Sequence, residues 1–182
     1  MPRLYLVRHG KTVSSNDPDP ALADLGLSQA NAVASVLASK GPLPILASPA
    51  RRTRETAAPL AQRWNVVPAT DLRVGEIPLP PGSEFRNHSE WIQFACTRRW
   101  PEMHATLRSW RDQVLQTLLE IQRDTVVVTH FVAINVAVGH ALGDDRVTCF
   151  QPENCSCTTL DSDGKQLRLV ELGSEGEIVL TK

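Results

Sequence analysis

The chain has 182 residues, enough for one well-buried core, and 42% of them are hydrophobic. Its 19 Lys and Arg stand against 20 Asp and Glu, so no global field draws nucleic acid or an anionic membrane, and any anion has to be held locally. No apolar run approaches the ~20 residues of a membrane span, and the first residues read as strand rather than a basic-then-apolar leader; the expectation is a cytoplasmic protein.

Four apolar residues, Leu4-Tyr5-Leu6-Val7, run into Arg8-His9-Gly10. Such a run reads as a buried parallel strand, and one that stops on charged groups delivers them to the carboxyl edge of the sheet, where open α/β sheets bind ligands. An arginine can fix an anion, a histidine can attack one, and a glycine lets the chain turn close to it. The Ser-, Asp- and Pro-rich stretch Ser14 to Asp24 marks a loop. A helix follows, with Ser28 as its expected N-cap and Val33, Val36 and Leu37 on one face, ending at Lys40-Gly41-Pro42.

Pro44 to Ala47 forms a second short strand, and Ser48-Pro49 opens a helix, Ser48 as cap and Pro49 at its first position. The amides of that first turn offer a second anion site, and Arg51, Arg52 and Arg54 lie within it. A short apolar stretch at Val66-Val67 reads as a third strand. Glu76 then sits between Gly75 and Ile77, where apolar neighbours can desolvate its carboxyl and raise its pKa toward the range of a general acid; an ordinary exposed loop glutamate is the other reading.

Residues 83–104 bring Trp91, Phe94 and Ala95 to one helical face, with His88, Arg98, Arg99 and His104 nearby. A longer helix spans about 102–122, its stripe Leu107, Trp110, Val114, Leu118 and Ile121 facing a core. Thr125-Val126-Val127-Val128-Thr129 is the strongest strand pattern, and it delivers His130 to the start of an apolar helix from Phe131 to Leu142 that stops at Gly143. His140, inside that helix, reads as a core or surface histidine. Residues 154–160 and 166–172 form a hairpin around Asp161-Ser162-Asp163-Gly164, followed by a polar turn and a short last strand or tail over 173–182. Cys96, Cys149, Cys155 and Cys157 form no repeated Cys-x-x-Cys pair; Cys155 and Cys157 could chelate a metal but without a second pair read as strand residues of a reduced protein, and no metal or other cofactor is expected.

Four of these stretches together resemble the histidine phosphatase superfamily, also called phosphoglycerate mutase-like. They are Arg8-His9-Gly10; Leu22-x-x-x-Gly26-x-x-Gln29-Ala30, whose role there is structural; Ser48-Pro49-x-x-Arg52-x-x-x-Thr56-Ala57; and the strand ending at Thr129-His130, where Phe131 stands in place of the usual glycine. The resemblance implies a three-layer α/β/α sandwich with a mostly parallel central sheet, formed as a single domain over 1–182 with an insertion or lid at about 78–104. It also implies phosphate binding by Arg8, Arg52 and His130, a phosphohistidine formed on His9, and a proton donor at Glu76, where the match is looser because Pro78-Leu79-Pro80-Pro81-Gly82 replaces the family's continuation. His130, if protonated, would add a third cation. The implied activity is metal-independent hydrolysis of a phosphorylated small molecule or phosphoprotein, phosphohistidine included. A mutase and a non-catalytic phosphate-binding module share these residues as alternatives, and oligomeric state is not legible.

Overall fold

A computed structural model describes residues 1–14, 17–80, 82–85 and 87–176 of the chain. In chain order it contains β1 (Arg3–Arg8), α1 (Asp24–Leu37), β2 (Ile45–Ala47), α2 (Arg51–Trp64), β3 (Ala69–Thr70), α3 (His88–Ala95), α4 (Ala105–Leu119), β4 (Thr125–Thr129), α5 (Phe131–Leu142), β5 (Cys157–Ser162) and β6 (Leu167–Glu171). The strands form one sheet in the order β3-β2-β4-β1-β5-β6. β3, β2, β4 and β1 are mutually parallel, and β5 and β6 add an antiparallel edge.

Alternation along the central strands divides the core in two. Leu4, Leu6 and Val127 face a cluster with α4, α5 and the buried Trp91 and Trp100. Tyr5, Val7, Val126 and Val128 face a second cluster with Ala34 and Leu37 of α1 and Ala57 and Leu60 of α2. The sheet is therefore the middle layer of the expected α/β/α sandwich. Because α1 leaves β1 toward one face and α5 leaves the neighbouring β4 toward the other, a crevice opens between these strand ends, the general ligand position of such sheets.

Local expectations differ from the structure where tertiary contacts set the boundaries. α1 begins at Asp24, four residues before the expected cap Ser28, and its inner face is Gly26, Ala30, Ala34 and Leu37, while Val36 is 68% exposed. Gly26 fixes this start: a Cβ there would lie 2.1 Å from the Lys11 carbonyl oxygen. Val66-Val67 is not a strand, Val67 being 94% exposed; the paired residues are Ala69–Thr70, held in register with Leu46 and Ala47. α4 is shorter at both ends than the 102–122 expected, while Phe94 packs beside Trp91 with ring centroids 6.1 Å apart and carries Arg98 over its outer side, the ring centroid 4.3 Å from the guanidinium. Asp161 and Ser162 belong to β5, and the hairpin turns at Gly164, whose φ of 83° is the left-handed region glycine tolerates. Helix α5 matches its expected span and ends on Gly143 at φ 66°. Most of the strand or tail expected in 173–182 falls outside the described residues.

Candidate active site

Strand register builds the site. Val7 pairs with Val128 and Arg8 with Thr129, while Ala47 pairs with Val128, so the residues that follow β1, β4 and β2 emerge side by side. These are His9, His130 and Ser48, with Arg52 in the first turn of α2. The backbone amide of His9 donates to the Thr129 carbonyl at 3.0 Å, locking the first two strand ends together. The His9 and His130 rings meet edge to face with centroids 5.2 Å apart.

His9 Nδ1 lies 2.9 Å from the Gly10 carbonyl oxygen, an acceptor only, so Nδ1 carries the proton and Nε2 keeps its lone pair. Burial, aided by the Arg52 and Arg8 charges, lowers the His9 pKa to about 3 against the opposing Gly10 bond, and the ring stays neutral at physiological pH. Gly10 is held in turn: its amide donates to Thr56 Oγ1 at 3.0 Å, and a Cβ on it would come within 2.7 Å of the Gly26 carbonyl oxygen. Gly10 and Gly26 are thus paired small residues that let α1 close over the His9 turn.

Arg8 donates through one terminal nitrogen to the Pro152 carbonyl at 2.8 Å, and its guanidinium carbon lies 5.1 Å from the Phe131 ring centroid. Phe131 therefore supplies a π-face on which the cation rests. Arg8 Nε is buried without a hydrogen-bond partner among the described residues, a donor suited to a group rich in acceptor oxygens. Arg52 is 13% exposed and donates to His130 Nδ1 at 3.3 Å. Burial lowers the pKa of both arginines, with Glu76 opposing.

Because Arg52 can only donate, His130 Nδ1 accepts, and His130 Nε2 carries the proton to Ser48 Oγ at 2.9 Å. Burial and the nearby His9, Arg52, His88 and Arg8 charges push the His130 pKa well below its usual value. His130 is thus held neutral while the site is empty, because two guanidiniums and a second imidazole oppose the charge; an arriving anion would favour it. Ser48 is likewise not the N-cap of α2, a position held by Ala50; its hydroxyl instead fixes the His130 tautomer. Ser48→Ala is expected to lower kcat roughly tenfold, the effect of a buried donor left without its acceptor, with Ser48→Thr restoring most of it. Nitrogen NMR of the His130 ring should show the tautomer fixed in the wild type and the threonine variant, and mixed in the alanine variant.

Glu76 reaches the site from the loop after β3. Ile77, fully buried, anchors that loop with about 1.5–3 kcal/mol of apolar burial, and Thr129 Oγ1 donates to the Val74 carbonyl at 2.6 Å. The Glu76 carboxyl accepts from the Ile77 amide at 3.0 Å and the Val132 amide at 3.2 Å, so a side chain of the protein itself occupies the N-terminus of α5. Desolvation raises the Glu76 pKa to about 7, overcoming those bonds and the Arg8 and Arg52 charges. Its desolvated reading, rather than the exposed-loop one, describes the residue.

The remaining sequence candidates divide. His88, first in α3, places Nε2 2.7 Å from the Ile77 carbonyl oxygen and so fastens its helix to the Glu76 loop. His104 caps α4 through the Thr106 amide, and His140 is exposed. Arg51 pairs with Glu55 at 2.7 Å on the surface, and Arg54 is exposed. Sequence reasoning missed the 152–155 loop, where Asn154 donates to the His9 carbonyl at 2.8 Å and Cys155, at φ 59°, donates its amide to the Arg8 carbonyl at 2.9 Å. The positive φ carries no sequence signal at a cysteine. Among the described residues no group of three or more His, Cys, Asp or Glu is placed to hold a metal.

A neutral, tautomerically fixed histidine among two arginines and a second imidazole, at the crossing of a doubly wound sheet, defines a phosphate-handling α/β protein. More specifically, the chain belongs to the histidine phosphatase superfamily (branch 1), whose family model matches residues 4–175. Over 80 residues it is 40% identical to glucosyl-3-phosphoglycerate phosphatase of Mycobacterium tuberculosis, an alignment covering 41% of this chain and 36% of that protein. The match thus spans little more than a third of the length of that curated relative. Among solved structures, mycobacterial glucosyl-3-phosphoglycerate phosphatase with VO3 superposes with a TM-score of 0.75 at 23% identity, covering 97% of this chain and 100% of that one. Phosphoserine phosphatase from Entamoeba histolytica with 3-phosphoglyceric acid gives 0.73 at 23% identity, covering 96% and 98%. Both share the fold described above.

Proposed function

We propose that the protein is a phosphatase that hydrolyses a phosphate monoester, or a protein phosphohistidine, through a covalent phosphohistidine on His9. One observation carries this reading: His9 is neutral, with Nδ1 committed to Gly10 at 2.9 Å, inside a pair of arginine cations. A transferring phosphoryl group spreads charge over its equatorial oxygens, so cations placed around it and a free lone pair in line with it do most of the catalysis.

In the first step the His9 Nε2 lone pair forms the N–P bond, the ester P–O bond breaks, and Glu76 gives its proton to the departing oxygen. In the second, water attacks phosphorus, its proton passes to Glu76, and the P–N bond breaks to leave inorganic phosphate and neutral His9. Arg8 and Arg52 hold the oxygens throughout, which leaves no charge for a metal to neutralise. Names of similar proteins that act on phosphorylated small molecules support a substrate of that kind. Four free cysteines favour a reducing compartment, and no helix among the described residues is long and apolar enough to cross a membrane.

The purified protein is expected to release p-nitrophenol from p-nitrophenyl phosphate in the presence of excess chelator. Stopping the reaction with base should trap label on the protein that is stable to alkali and lost in acid. Tight phosphate binding without turnover or label would instead identify a binding module, and an isomerised product with little free phosphate would identify a mutase.

A further inference from the structure

The first acceptor for the α2 N-terminus is a side chain from the loop after β1. Asp19 Oδ1 accepts from the Arg51 amide at 2.8 Å and stands 3.7 Å from Arg52 NH1, the same guanidinium that reaches His130. The helix end expected to offer a second phosphate site is thus occupied by a carboxylate of the protein. Two bonds steady it there: the Asp19 amide donates to Asp17 Oδ1 at 2.9 Å, and the Leu22 amide to Glu55 Oε2 at 2.7 Å.

The Asp19 side chain is 48% exposed, so it faces the solvent side of an arginine that is itself nearly covered. The neighbouring Arg51, whose amide Asp19 holds, has its guanidinium bonded to Glu55 at 2.7 Å. A phosphate gripped by Arg52 takes up that arginine's charge, and Asp19 then stands at the mouth as an uncompensated negative charge. Any group two or three bonds from phosphorus lies within about 10 Å of it, comparable with the Debye length of about 8 Å at physiological salt.

Resting on the phosphatase reading above, we propose that Asp19 determines specificity at this site: it disfavours substrates with a second anionic group beside the phosphate and favours those with an ammonium or uncharged group there. The physics is a single charge–charge interaction at the rim, which the aryl or alkyl identity of the leaving group leaves in place. Glu76 adds no lasting charge against it, since it is protonated when it donates.

Three short alkyl phosphates differing in one terminal group separate the idea from its rivals: phosphoethanolamine, phosphoglycolate, and ethylene glycol phosphate. The wild type is expected to prefer phosphoethanolamine over phosphoglycolate in kcat/KM by roughly tenfold, the size of one unit-charge interaction at ~6–8 Å near a protein surface, with the hydroxyl compound between them. Asp19→Asn should collapse that ratio, Asp19→Glu should preserve it, and added salt should shrink it in the wild type. A ratio is independent of how much of each variant is active, so partial misfolding does not blur it. A wild type with no preference, or a preference unchanged in Asp19→Asn, overturns the inference and leaves the phosphatase reading standing. Hydrolysis of none of the three, nor of p-nitrophenyl phosphate, brings down the phosphatase reading and this inference with it.

Discussion

Replacing His9 by alanine is expected to reduce turnover by about 10,000-fold or more and to abolish the alkali-stable label, while inorganic phosphate still binds. The size follows from what the ring supplies: without Nε2 there is no covalent route, and water would have to attack the ester directly with no base held against it. Binding survives because the grip lies elsewhere, in Arg8 set by Pro152 and Phe131 and in Arg52 set by His130. Isothermal titration with phosphate alongside the rate assay separates the two effects. A His9→Ala protein that keeps activity within tenfold of the wild type would remove the histidine from the reaction.

Changing Glu76 to glutamine should cost about 100- to 1,000-fold for an alkyl phosphate, whose alkoxide needs a proton to leave, and far less for p-nitrophenyl phosphate, whose phenolate does not. The pH profile carries the same information. With its pKa raised to about 7, Glu76 is protonated below neutrality, so wild-type kcat/KM for the alkyl ester should hold below about pH 7 and fall tenfold per unit above it. The glutamine variant, having no proton to lose, should be flat through that range. His9 does not contribute a limb near neutrality, since its pKa of about 3 keeps it neutral throughout. An equal loss for both esters, with the alkaline limb still present, would assign the proton to another group.

Much of the fold was legible because its signals were redundant. β1 and β4 are unbroken apolar or β-branched runs buried on both faces, and α5 is apolar along its length before a glycine, so pattern and burial say the same thing. β3 was misplaced because it is two exposed residues at an edge, where pairing with β2 decides and hydrophobicity does not. The start of α1 lies five residues earlier, its cap at Ala23 rather than Ser28, where Gly26 meets Lys11 in a contact across the His9 turn that no helical periodicity records.

The site divides along the same line. Arg8, His9, Arg52 and His130 could be named from the chain alone, since each follows a recognisable strand or opens a recognisable helix, and those short-range patterns determine where charged groups leave the sheet. Their protonation could not. Whether His9 attacks or His130 carries charge depends on Gly10, Ser48 and Arg52 acting through hydrogen bonds and on burial by several elements at once. Likewise the carboxyl groups at the starts of α2 and α5 come from Asp19 and Glu76, 32 and 56 residues away from the amides they hold. Local sequence specifies which groups arrive; only packing at a distance specifies the dielectric and the partners they meet, and those two quantities set a pKa.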